Sequence, residues 1–252
     1  MLAHFDWKRP IYLTQPFLLD GLGLMDYLQF DGYAYRFVPI RTPVRSGAEI
    51  GRIDPDYAAP LLRDTFRYGN LADPRVYVDY FTQYNLSASH ARDAFARVAK
   101  ELLREERTEE AVELLDLAFE RLPIEQIRFT DTNTYPFLEG YYAAAAMGHP
   151  EAAEKGDALL RAYAQNLIEY IEYYLRFEGV QGDMVASLLD EKLEQLGDVY
   201  YLASYAGRKD AVAELNAYYR TLGVAEENLF DVGDRPLQAD RASVDTAAEA
   251  AM

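Results

Sequence analysis

The chain has 252 residues, half of them apolar, with 25 Lys and Arg against 42 Asp and Glu and no cysteine. A formal charge of −17 argues against nucleic acid and anionic lipid as partners, because both require a basic face. The absence of cysteine excludes disulfides, thiolate metal sites and thiol catalysis.

The first residues, MLAHFDWKRP, carry an aspartate, a lysine and an arginine where a signal peptide would place its apolar region, so none is read here. The most apolar run, YYAAAAM at 141–147, is far short of the roughly 20 residues that span a bilayer, and no direct membrane span is expected. IYLT at 11–14 and YAYRFVPI at 33–40 are rich in aromatic and β-branched residues and bounded by Pro, Gly and Asp. They read as two strands. LLDGLGLMDYLQF between them reads as a turn and a short helix, so a two-stranded unit packed on helices is expected. Pro43, Gly47, Gly51, Pro55 and Pro60 mark a connecting loop over 41–60.

From about residue 85 to 222 the pattern is helical. Ala91, Phe95, Val98, Ala99, Leu102 and Leu103 share one face. A second helix follows in RTEEAVELLDLAFERLP, with Thr108 as expected N-cap, Glu109 and Glu110 in the first turn, and Pro123 as the stop. Phe95, Val98, Ala99 and Leu102, then Ala111, Leu115, Ala118 and Pro123, fit the two halves of a tetratricopeptide repeat. The small alanines let paired backbones approach while the large residues fill the gaps. Looser echoes follow at AMGHPEAAEKGDALL, with Gly148 as a stop and Pro150 in the next first turn, and at YLASYAGRKDAVAELNAYYRTLG, with Gly207 as a stop. An extra helix is expected at 166–177. The expected fold is mainly α: degenerate tetratricopeptide-like helical repeats with a small N-terminal α+β segment. Its organisation is a small α+β segment at 1–45, a connecting loop and helix at 46–84, a helical-repeat domain at 85–225, and a disordered tail at 226–252.

Chemistry is harder to find. His4, His90 and His149 lie far apart, with no partner at i+3 or i+4, so no metal site is expected. Asp54-Pro55-Asp56 has a D-x-D form that could share a hard cation, yet its proline context favours a plain turn. No phosphate-cradling glycine loop or nucleophile elbow occurs. No catalytic residue and no cofactor are assigned, and the chain as given is expected not to be an enzyme. The 21 tyrosines are the unusual feature. Tyr77, Tyr80, Phe81 and Tyr84 form one stripe at helical spacing, and Tyr170, Tyr173, Tyr174 and Phe177 form another. With Tyr141, the tyrosines at 77, 80, 84, 170 and 173 are the candidate binding residues, since tyrosine gives contact area at low entropy cost. The bland alternative, helix packing with the hydroxyl reaching water, is the commoner use of such stripes.

The succession RPIYL at 9–13, GLGLMDYLQFDGYAYRFVPI at 21–40 and FRYGNLADPRVYVDY at 66–80, ahead of one tetratricopeptide-like pair, resembles a known arrangement. It is similar to the C-terminal soluble region of a family of bacterial multispanning membrane proteins of unknown function, themselves similar to protein O-mannosyltransferases. The resemblance covers roughly residues 9–180. It rests most on Arg9-Pro10-Ile11-Tyr12, on the strand from Gly32 to Pro39, and on Gly69-Asn70 before Asp73-Pro74. Tyr68 departs from it, since tryptophan is expected there. It implies an extracytoplasmic (periplasmic) location at the inner membrane, with glycosyl transfer carried by a membrane part that this chain lacks.

Two functions of different class follow. The first is a non-catalytic interaction domain that binds protein or peptide, or its own membrane domain. The second is a free-standing carbohydrate-active enzyme using paired carboxylates such as Asp54, Asp56 or Glu139.

Overall fold

Four short strands and seven α-helices follow one another among the described residues, which are 9–41, 50–79, 81–82 and 88–224 of the computed structural model. The chain is therefore mainly α with a small sheet. The tail at 226–252 lies outside the described residues. Two compact units divide the chain, Met1–Met147 and Gly148–Met252.

In the first unit β1 (Ile11–Leu13), β2 (Leu28–Phe30), β3 (Tyr35–Phe37) and β4 (Arg52–Ile53) form one sheet in the order β1-β3-β2-β4. β3 pairs antiparallel with β1, setting Tyr12 opposite Arg36, and with β2, setting Gln29 opposite Arg36. β4 runs parallel to β2, with Phe30 opposite Ile53. The expected pair of strands is thus half of the sheet. LQF belongs to β2 rather than to a helix: Leu28 and Phe30 alternate inward while Gln29 stays half-buried, the period-two pattern of a strand. The segment before it is 3-10 helical, over Pro16–Leu22 and Met25–Tyr27. The expected loop at 41–60 contains β4 and a short helix, α1 (Pro55–Pro60). Residues 42–49 lie outside the described residues.

α2 (Ala88–Arg104), α3 (Thr108–Arg121) and α4 (Asp131–Ala146) pack against one another. Phe95, Val98, Ala99 and Leu102 of α2, and Ala111, Leu115 and Ala118 of α3, are all fully buried, as their spacing requires. Pro123 is half-buried and begins the turn into α4, accepting from the Ile127 amide at 2.9 Å. α2 ends in a Schellman turn. The Arg107 amide reaches back to the Leu102 carbonyl at 2.9 Å and the Glu106 amide to that of Leu103 at 3.0 Å, with Glu106 at φ +60°. Thr108 is the first helical residue of α3, not its cap, which is Arg107. Arg107 holds Glu110 in a two-point pair at 2.8 Å and Asp56 of α1 at 2.6 Å. On the other side of α2, Arg97 lies 3.8 Å over the Phe30 ring and donates to the Ile50 carbonyl at 2.8 Å, which fastens the sheet to the helices.

The second unit holds α5 (Pro150–Tyr174), α6 (Gly179–Tyr205) and α7 (Lys209–Thr221). α5 runs unbroken for 25 residues, so the extra helix expected at 166–177 is its C-terminal part. Gly148 (φ +103°) and Gly207 (φ +68°) stand at the helix ends where they were expected. Leu160, Tyr163, Leu167, Leu196, Val199 and Leu215 fill the core of this unit. Arg208, in the turn before α7, makes a two-point pair with Asp157 of α5.

Candidate functional site

Among the described residues each unit carries large apolar side chains into solvent. On the first unit Pro16 starts the 3-10 segment and Gly23 (φ +63°) ends it, its amide donating to the Asp20 carbonyl at 3.0 Å. The turn holds Phe17 60 % and Leu22 68 % exposed; Ile40, after β3, is 65 % exposed, and Tyr12 on the edge strand is exposed as well.

Tyr12 also belongs to a polar latch. Asp31 is buried, and burial raises its carboxyl above the usual carboxylate range. Arg36, 2.9 Å away, and Gln29, at 3.2 Å, act in the opposite direction. The Tyr12 hydroxyl also reaches Asp31 and shares a hydrogen bond with Tyr57. Burial is the largest cause that raises the Tyr12 phenol. The Arg36 guanidinium lies 4.5 Å from the Tyr57 ring centre. A buried carboxyl with a raised pKa can serve as an acid or base, but Arg36, Gln29 and Tyr12 occupy this one. It joins β1, β3 and α1.

On the second unit the C-terminal turns of α5 gather rings. Tyr170 stacks on Tyr174 with centroids 6.1 Å apart, and Tyr173 meets Phe177 edge-on at 5.2 Å. Lys192 of α6 lies 5.9 Å over Tyr170. The first part of α6 has no fully buried residue before Leu196. Val180 and Met184, 76 % and 75 % exposed, and Leu188, 42 % exposed, follow one another at spacings of four along it. That spacing is a readable signal of an apolar stripe, separate from the tyrosine stripes.

The expected binding residues scatter. Tyr170 is half-buried and Tyr173 exposed, both in the ring group. Tyr141 is buried in α4 with its hydroxyl donating to Asp116 at 3.0 Å, and burial raises its pKa. Tyr77 is exposed but stands in an irregular stretch, so it does not begin a helical stripe. Tyr80 and Tyr84 lie outside the described residues. Asp54 stands at the N-terminus of α1, where its carbonyl accepts from Ala58 at 2.8 Å, and Glu139 is exposed on α4. Among the described residues no three His, Asp or Glu side chains converge as a metal site would require. An open groove of about 510 Å³ runs between α5 and α7, bordered by Leu160, Ala164, Ile168 and Leu215 and crossed by an Arg161–Glu214 contact at 3.3 Å.

Residues 1–57 match the family model described as TMEM260-associated domain 2. That stretch contains all four strands and ends at Tyr57 of the polar latch. No curated protein and no solved structure matches the chain. Among the described residues no helix is long and apolar enough to cross a membrane.

Proposed function

We propose that the chain is a non-catalytic interaction module of a membrane glycosyltransferase-like protein. The exposed apolar side chains Tyr12 of β1, Phe17 and Leu22 of the 3-10 segment after it, and Ile40 after β3 would seat on a protein segment or on the membrane domain of that protein. The observation that carries this reading is a coincidence of two independent features. Four exposed apolar side chains of the first unit, Tyr12, Phe17, Leu22 and Ile40, fall inside the stretch that matches the TMEM260-associated domain 2 model, whereas Tyr77, Phe81 and Met147 are exposed outside it, and TMEM260 is a membrane protein related to O-mannosyltransferases. A latch of Asp31, Arg36, Tyr12 and Tyr57 supports the reading further, because it ties together β1, β3 and α1, the first two of which flank the segments that carry Phe17, Leu22 and Ile40. The helices of the first unit then act as a tetratricopeptide-like scaffold behind the sheet, and the module works on the extracytoplasmic side of the membrane.

Photo-crosslinking tests this directly. A benzophenone amino acid at Phe17, Leu22 or Ile40, introduced in the native host, should capture a multispanning membrane polypeptide. The same group at exposed Glu154 on α5 serves as control. Equal capture from both sets of positions, or none from the first set, would remove the reading.

A further inference from the structure

We propose that the first half of α6 is a docking strip for a basic amphipathic helix of another protein. This deepens the interaction reading and uses a different surface from the sheet. Val180, Met184 and Leu188 fall within an arc of about 80° at 3.6 residues per turn. They form one apolar ridge about 12 Å long. Half-buried Val185 and Leu189 turn away from it, so the ridge is not the face that α6 gives to the rest of its own unit. Asp183, Asp190 and Glu194 line one flank of the ridge, and all three are exposed. Among the described residues none of these three carboxylates is held in an ion pair. Methionine suits a surface that must adapt to a partner side chain. Ridge and flank together match the apolar stripe and lysine- or arginine-bearing edge of a helix about three turns long.

Charge selects this occupant over others. A second copy would bring its own row of acids against this one. The chain's own segment 225–252 holds more acids than bases. An anionic bilayer would be repelled in the same way. Only a basic partner gains from both the apolar ridge and the acidic flank.

The test titrates the full 252-residue chain with a labelled 18-residue Leu/Lys amphipathic peptide and with its Leu/Glu counterpart, read by fluorescence anisotropy. The Leu/Lys peptide should bind at least about tenfold more tightly, and more weakly as salt rises. Met184→Ser with Leu188→Ser should weaken it at least about tenfold, because the ridge is then no longer buried on binding. Asp190→Lys with Glu194→Lys should weaken it similarly and favour the Leu/Glu peptide. Both pairs lie on the surface, so helicity and melting temperature should hold; the second pair removes no apolar contact and serves if the first disturbs the fold. Absence of binding, or binding that neither pair changes, would overturn the proposal. So would a dimer, or attachment to anionic vesicles, that Met184→Ser with Leu188→Ser abolishes. Crosslinking through Phe17, Leu22 and Ile40 could persist in every one of these cases, so the two readings fail separately.

Discussion

Arg92 offers the sharpest test of how the first unit is held together. Its guanidinium is fully buried, donating to the Leu122 carbonyl at 2.8 Å and the Ile127 carbonyl at 2.7 Å, with Asn133 Oδ1 at 3.4 Å and the Phe119 ring centre at 5.1 Å. Two of these groups bracket the loop from α3 to α4, so one side chain of α2 ties that loop closed. Burial pushes the group down to about 10, with Glu125 acting in the opposite direction. Two charge-assisted bonds contribute roughly 3–6 kcal/mol against the cost of that burial, and the cation over the Phe119 ring about 1 kcal/mol more. Arg92→Met keeps the apolar stem but leaves two buried carbonyls without a donor, each worth about 1–3 kcal/mol. A loss of about 3 kcal/mol is expected, a fall in melting temperature of roughly 6–12 °C. Urea unfolding followed by circular dichroism reads the loss. Hydrogen exchange at the Gln126 and Ile127 amides, both bonded to the Pro123 carbonyl, places it in the loop. Arg92→Lys should lose most of the same stability, because an ammonium cannot reproduce the planar fork. Either variant within about 0.5 kcal/mol of the parent would refute the clamp.

Three further outcomes are expected. Glu106→Gly should stabilise the protein by about 0.5–1 kcal/mol, since a non-glycine residue now holds the left-handed position of the α2 Schellman turn; a lower midpoint in urea would contradict this. Arg208→Ala should cost about 1–2 kcal/mol, because the half-buried Asp157 loses a two-point partner; Arg208→Lys should recover little of it in the same assay. The Glu110 carboxyl should titrate below its ordinary value in NMR, held there chiefly by the Arg107 hydrogen bonds, and Arg107→Ala should return it upward. For such a depressed acid the stabilising contribution is present above the unfolded value and is lost as pH falls through the folded one, so acid unfolding should begin at higher pH in Arg107→Ala.

How much of this could be read in advance depends on the range of the signal. The α2–α3 pair was legible because Phe95, Val98, Leu102, Leu115 and Ala118 recur at three- and four-residue spacing and every one is buried. Gly148 and Gly207 marked real helix ends because only the residue past a helix needs a positive φ so often. β2 was missed because LQF continues the apolar run that begins at Leu22, which also fits a short helix, and β4 because two residues show no alternation; their parallel pairing joins segments more than twenty residues apart. The Arg92 clamp leaves no trace in a periodicity pattern, since its main partners are backbone carbonyls 30 and 35 residues onward. Tyr141 and Tyr173 look alike as members of aromatic runs. Only the position of α4 between its neighbours puts the first inside, while the end of α5 leaves the second outside.

The central claim is that the exposed apolar side chains Phe17, Leu22 and Ile40 of the first unit are covered in its working state. Carbene footprinting of Phe17, Leu22 and Ile40 in native membranes, compared with the purified chain, measures that most directly. Docking predicts labelling reduced several-fold at these three residues and unchanged at exposed Lys100 and Glu154. Equal labelling of Phe17, Leu22 and Ile40 in both settings would contradict it.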